Sequence, residues 1–303
     1  GAVFKKAGEN FNVIVAAVAW QAGDDLNNDG VPDSGANLSD NAVLPNFGQE
    51  AAPEGVTVTH TLVAPAGGSA GAITGGSFTG FAGGAKTNTM TWSEVGSITL
   101  NAALTSGNYL GTGGNATGSV SPVGRFRPDH FMLTSPVLTN RRALACASTF
   151  TYEGEELRAT FLLTARNGLA TPTATTNYTT ASAFAKLDGT VPANFGFGAV
   201  DLADAIPPLV ATALSGRLAL GTSSGTWAGG TGNFTADLAV SRATPDGPFE
   251  SFQLGVIPAD LDGVTLRATD LNLDTDVPAN GADRVLLGSI KIRFGRLTIR
   301  NSS

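Results

Sequence analysis

The sequence predicts an all-β chain of two tandem immunoglobulin-like β-sandwich domains, and three observations lead there. Apolar residues alternate with polar ones, or form short β-branched runs, instead of recurring at helical spacing. Gly (39 residues) and Pro (15 residues) punctuate those runs at short intervals, as turns require. The length, 303 residues, is too great for one ordinary sandwich and comfortable for two.

In chain order, residues 11–20 (FNVIVAAVAW) set Phe11, Val13, Val15, Ala17 and Ala19 on one face. Residues 56–63 (VTVTHTLV) do the same with Val56, Val58, His60 and Leu62, and His60 reads there as a strand residue whose ring is hydrogen-bonded. Further strands are expected at 95–104, 157–165, 249–256, 264–268 and 290–299, with a Gly-rich loop at 66–84. The one helical candidate, Val200–Leu214, is interrupted by Pro207-Pro208. A weak internal repeat pairs Glu9-Asn10-Phe11 with Glu155-Glu156-Leu157, Gly96-Ser97-Ile98 with Gly288-Ser289-Ile290, and Gly124-Arg125-Phe126 with Gly295-Arg296-Leu297. These pairs place the domains at 1–123 and 124–303.

Hydrophobic residues make up 42% of the chain, enough for two cores, and charged residues only 14%, below the quarter usual in globular domains. Solubility then rests on Thr, Ser, Asn and Gly, a profile that suits an exported, extracellular β-protein. The net charge is −7, and the two basic runs, Lys5-Lys6 and Arg141-Arg142, are too short to follow a phosphate backbone, so no nucleic-acid partner is expected. No apolar run is long enough to span a bilayer. Cys146 is the only cysteine, which excludes an internal disulfide and reads as a buried structural thiol. The chain starts at Gly1 without an initiator Met and stops after a strand-like stretch, which reads as a piece of a longer polypeptide.

One segment carries site chemistry. Residues 25–33 read D-x-N-x-D-G-x-x-D, with oxygen-bearing side chains at Asp25, Asn27, Asp29 and Asp33, the Val31 carbonyl at the seventh position and Gly30 at the sharp turn. Ca²⁺ takes six to eight hard oxygens, and alternate residues on a curled loop can converge theirs on one point. The spacing therefore predicts a structural Ca²⁺ loop. Its twelfth position is Ala36 where a bidentate Glu would stand, so Asp24, Asp40 or a carboxylate from elsewhere must complete the shell. A second acidic stretch, Asp260 to Asp283, reads as solvated loop carboxylates with a β-turn at Asp260-Leu261-Asp262-Gly263. No nucleophile elbow, zinc-protease motif or phosphate loop is present. Asp129-His130 are neighbours, and in extended chain they point to opposite faces. The chain is therefore read as non-catalytic. Trp20, Trp92 and Trp227, with Tyr109, Tyr152 and Tyr178, offer rings for sugar stacking, although core or rim packing is their expected role.

Several segments in series resemble one bacterial family: WSEVGSITL (92–100), Tyr109-Leu110-Gly111, VGRFRPDHFM (123–132), FTYEGEEL (150–157), LTARNG (163–168), TTNY (175–178), ADLDGV (259–264) and IRFGRL (292–297). Together they resemble the DUF6701 domain of MshQ-like proteins, associated with mannose-sensitive haemagglutinin (MSHA) type IV pili. The resemblance implies a long exported protein of the bacterial cell surface, engaged in pilus assembly or adhesion. It supplies no catalytic residues. It implies that Gly124 and Gly295 permit close backbone approach and that Arg125 and Arg296 cap or pair at strand ends. The 25–33 loop and the unpaired Cys146 are departures from it. The functional expectation is an adhesion or scaffold module whose partners are pilus subunits or other domains of the same protein. A carbohydrate-binding module for surface glycans and a structural filament or surface-layer subunit are the alternatives.

Overall fold

In the computed structural model, residues 1–111, 113–140, 149–202, 212–243, 247–267 and 284–295 are described. Alternation becomes burial in the strand Val56–Ala64: Val56 and Val58 are buried, Thr57, Thr59 and Thr61 are exposed, and His60 and Leu62 lie between. That strand is inner in a five-stranded sheet ordered Lys5–Lys6, Thr117–Arg127, Gly96–Leu104, Val56–Ala64, Ser77–Phe78. A three-stranded sheet, ordered Phe11–Ala16, Ala85–Trp92, Ile73–Thr74, supplies the second layer. Phe11, Met90 and Trp92 from the small sheet meet Val58, Ile98 and Phe126 from the large one in a single apolar cluster. Trp92 is fully buried, its indole N–H donates to Ala70 O at 2.8 Å, and the His60 ring bonds the same carbonyl at 2.8 Å. One backbone oxygen thus ties the Gly-rich loop to the core, and the expected bonding of the His60 ring is met there.

The chain divides into two compact units, residues 1–127 with 167–172 and residues 128–166 with 173–303. The boundary expected at 123/124 falls inside the strand Thr117–Arg127, which belongs whole to the first unit. In the second unit one sheet is ordered Thr151–Tyr152, Val285–Arg293, Phe249–Val256, Gly198–Asp201, Thr212–Ala213. The other is ordered Leu218–Ser224, Thr231–Val240, Glu156–Arg166, His130–Thr139. Phe161, Phe195, Phe234, Trp227, Tyr178 and Phe131 fill this unit with rings in edge or stacked contact.

The two units share one local device. Lys5–Lys6 runs parallel to the strand Thr117–Arg127, and Thr151–Tyr152 runs parallel to Val285–Arg293. Each short strand ends in a turn with a glycine at φ +81°, Gly8 or Gly154. The glutamate that follows then accepts a backbone N–H three residues back: Lys6 N to Glu9 Oε2 and Tyr152 N to Glu155 Oε2, both at 3.0 Å. The Glu9/Glu155 repeat is therefore structurally equivalent. The other two repeats are not. Gly96-Ser97-Ile98 lies one strand away from the parallel pair, whereas Gly288-Ser289-Ile290 lies in the strand that forms it. Lys5 faces Phe126 and Thr151 faces Ile292, so Gly295-Arg296-Leu297 comes later than its supposed counterpart, and Arg296 and Leu297 lie outside the described residues.

Among the described residues there is no α-helix, and no helix is long and apolar enough to cross a membrane. The helical expectation for Val200–Leu214 fails at both ends: Val200 lies in the strand Gly198–Asp201 and Thr212–Ala213 is a strand. Asp201 accepts from Ser251 N at 2.9 Å, and Pro207-Pro208 lies outside the described residues. Of the expected strand at 264–268, residues 264–267 are described, and they form one bridge, Phe131 with Leu266. Cys146 also lies outside the described residues.

Candidate functional site

The loop between the strands Phe11–Ala16 and Val56–Ala64 holds the acidic motif. A 3₁₀ turn, Ala22–Asp24, delivers Asp25 inward, where it is only 3% exposed. Its Oδ2 accepts from Gly30 N at 2.8 Å and from Trp20 Nε1 at 3.2 Å, and its Oδ1 accepts from Asp29 N at 3.1 Å. Burial alone pushes the Asp25 carboxyl up, but the bonds from Gly30, Trp20 and Asp29 outweigh it and hold the group below its ordinary value of 3.8. Gly30, at φ +83°, takes the left-handed conformation that turns its N–H back toward Asp25.

The remaining motif residues continue the curl. Asn27 Oδ1 accepts from Asp29 N at 3.1 Å, Asp29 Oδ1 from Val31 N at 2.8 Å, and Asp33 Oδ2 from Leu26 N at 2.7 Å. Asp25, Asn27, Asp29 and Asp33 thus sit on one hydrogen-bonded loop, with Asn27, Asp29 and Val31 exposed and Asp33 partly so. The carboxylates expected to complete a shell are occupied by amides: Asp24 Oδ2 accepts from Asn41 Nδ2 at 2.7 Å, and Asp40 Oδ2 from Asn37 Nδ2 at 3.1 Å. Among the described residues, no three His, Cys, Asp or Glu side chains are grouped so as to hold a metal ion. Trp20 and Asn41 are the participants that spacing did not reveal. Both lie outside the motif, and only the fold brings them to it.

Two other expectations change. The Asp129 and His130 side chains do meet: Asp129 Oδ2 accepts from His130 Nδ1 at 2.8 Å and also from Arg267. Asp129 sits in the two-residue connection before the strand His130–Thr139, so strand alternation does not govern it. Burial, working against the Asp129 bond, holds His130 below its ordinary 6.5. Asp260 is not solvated. It is 8% exposed, and it accepts from Tyr178 OH at 2.7 Å, Asp262 N at 2.9 Å and Val264 N at 2.8 Å. The expected turn is present, with Gly263 N donating to Asp260 O at 3.0 Å. Residues 268–283, with Asp270, Asp274, Asp276 and Asp283, lie outside the described residues. Trp92, Trp227 and Tyr178 are core residues, and Trp20, 59% exposed, is the tryptophan that presents a ring to solvent. Gly124 does lie close to its neighbour strand: an added Cβ would come within 2.8 Å of Gly96 O. Arg125 Nε donates to Gly1 O at 3.0 Å.

Two all-β units, each carrying the same Gly–Glu turn, define the class as a tandem β-module. The chain belongs to the DUF6701 family: the model of the family's second domain matches residues 1–91 and that of its third domain residues 94–284. No curated protein matches the chain. The family division between 91 and 94 precedes the strands Gly96–Leu104 and Thr117–Arg127, which complete the first unit's large sheet.

Proposed function

We propose that the chain is an exported, non-catalytic adhesion or scaffold module of the bacterial cell surface, associated with type IV pili in the manner of MshQ-like proteins. The observation that carries this reading is the state of the buried ionisable groups. Asp260 is bonded to Tyr178, Asp237 to Arg158 at 2.9 Å, and Glu153 is ion-paired with Arg217 at 3.0 Å, so these groups, which acid–base chemistry would use, tie together loops and strands of the second unit. The family's numbering of a second and a third domain supports reading the chain as part of a longer protein. Each unit is built of two largely antiparallel sheets, which supports the immunoglobulin-like description.

Antibodies raised against the chain test the surface reading. They should label intact, unpermeabilised cells of the source organism, and purified pili should co-sediment with the chain. Label confined to lysed cells, with no co-sedimentation, would sink the proposal.

The same reading makes Asp25, Asn27, Asp29, Val31 and Asp33 a structural Ca²⁺ loop that stiffens the connection between two strands. Trp20 supplies the reporter, since it is exposed and bonded to the Asp25 carboxylate. Titrating Ca²⁺ into EDTA-treated protein should shift tryptophan emission and raise the melting temperature. At 100 times the dissociation constant, binding adds about 2.7 kcal/mol. Asp25→Asn should abolish both responses; an EDTA-insensitive melt without metal by elemental analysis refutes the loop's role.

A further inference from the structure

We infer that the outer face of the first unit's large sheet is a docking face for neutral polysaccharide. The inference rests on the surface-module reading and names its ligand class and its site. A shallow groove of about 420 Å³ crosses three strands of that face, lined by Thr57, Thr59, Asn101, Ala103, Thr117 and Ser119. Register makes it: Thr59 stands opposite Asn101, which stands opposite Ser119, and Thr57 stands opposite Ala103, which stands opposite Thr117. Two rows of side chains therefore run across the strands, spaced about 4.8 Å apart between strands and roughly 6.8 Å apart along them. The hollow exists because Ala103 is small, while Thr57, Thr59 and Asn101 stand beside it.

The chemistry of this lining selects its occupant. No ionisable side chain lines the groove, in a chain whose net charge is −7. A phosphate or carboxylate ligand would lose its water there without gaining a counter-ion. An apolar peptide would cover hydroxyls and amides and leave them unsatisfied. A neutral polyol has neither cost, because each of its hydroxyls donates and accepts and can replace the water it displaces. Part of the face is already fixed: Thr99 donates to Ser121 Oγ at 2.7 Å, and the Thr57 and Thr105 hydroxyls bond at 2.9 Å. Ordering those side chains in advance lowers the entropy lost on binding. Among the described residues, the Thr117 and Ser119 hydroxyls have no hydrogen-bond partner, which leaves them for a ligand.

The test is affinity electrophoresis of the full chain in gels containing dextran, laminarin or yeast mannan, with the anionic alginate as the contrasting polymer. At least one neutral polymer should retard the protein and alginate should not. Asn101→Ala and Ser119→Lys should each weaken retardation about tenfold, the cost of one or two lost neutral hydrogen bonds, with unchanged melting temperatures. Three outcomes overturn the inference: no retardation by any neutral polymer, retardation undiminished in both variants, or retardation lost in Trp20→Ala but kept in the groove variants. Antibody labelling of intact cells decides the surface reading independently, so the two failures are distinguishable.

Discussion

Replacing Tyr178 with Phe removes one oxygen and three hydrogen bonds from the interior of the second unit. The hydroxyl donates to Asp260 Oδ2 at 2.7 Å and accepts from Lys186 N at 3.0 Å and Leu187 N at 3.1 Å. Loss of a bond to a carboxylate costs about 1.5–3 kcal/mol, and each buried N–H left without an acceptor about 1–3 kcal/mol where the chain cannot relax to water. The backbone at 186–187 can adjust in part, because Lys186 is only half-buried. The low end of each range therefore applies, and the sum is about 3–4 kcal/mol. For a unit of this size that is a fall of roughly 10 °C in melting temperature. The ring itself stays, so its edge contact with Trp227, 4.8 Å between centroids, is kept and the loss measures the hydroxyl.

Calorimetry of the full chain, with tryptophan fluorescence to follow the second unit through Trp227, gives the value. The pH dependence adds a sign. Burial, outweighing the Tyr178 bond, raises the Asp260 carboxyl above its ordinary 3.8 in the folded state. An acid with a raised folded pKa contributes stability that is present below its unfolded pKa and lost as pH rises through the folded one. Removing the Tyr178 donor raises that folded pKa further, so the variant should lose more stability at pH 7 than at pH 4. A loss below about 1 kcal/mol, or one independent of pH between those values, refutes the account of Asp260 as a buried carboxyl held by Tyr178.

The repeated turn makes a paired prediction. Gly8→Ala and Gly154→Ala each incur about 1–2 kcal/mol for a left-handed φ. At Gly8 the new Cβ would also come within 2.8 Å of Leu169 N, whereas at Gly154 its nearest neighbour is Arg242 Nε at 3.7 Å, so denaturant titration should show the larger loss at Gly8. His130 is held below its ordinary 6.5 by burial against the opposing Asp129, with Arg267 and Arg166 also lowering it. A base with a depressed folded pKa costs stability as pH falls through its unfolded value, so the second unit's urea midpoint should drop between pH 7.5 and pH 5.5 and drop less in His130→Gln. Arg158→Met takes the guanidinium from Asp237, which is 2% exposed, and should cost about 3–5 kcal/mol in guanidinium titration. Asp237→Asn in the Arg158→Met background should recover part of it.

The strands were legible because alternation is local: Phe11, Val13 and Val15 carry their own signal whatever lies across from them. The Glu9/Glu155 repeat was legible for the same reason, since each glutamate bonds a backbone group three residues away. What escaped the sequence was set by partners distant along the chain. Asp260 looks like a turn residue until Tyr178, 82 positions away, covers it. Asp129 and His130 were separated by an alternation rule that holds only inside a strand. The acidic loop was found by spacing, yet its anchors, Trp20 and Asn41, lie outside the motif.

The groove face shows the same division most sharply. Thr57, Thr59 and Thr61 alternate visibly, and so do Ser97, Thr99 and Asn101, which says only that each strand has a polar side. Whether those sides form a hollow depends on register. A shift of one residue between Val56–Ala64 and Gly96–Leu104 would set Leu100 or Ala102 opposite Thr59 and carry apolar side chains to the surface. Burial of Val56, Val58, Ile98 and Leu100 forbids that shift. The core therefore determines the binding face: the same apolar residues that hold the two layers together place Thr59, Asn101 and Ser119 in one row. A core substitution that loosened register, such as Ile98→Ala, should weaken polysaccharide retardation although Ile98 is fully buried and would touch no sugar.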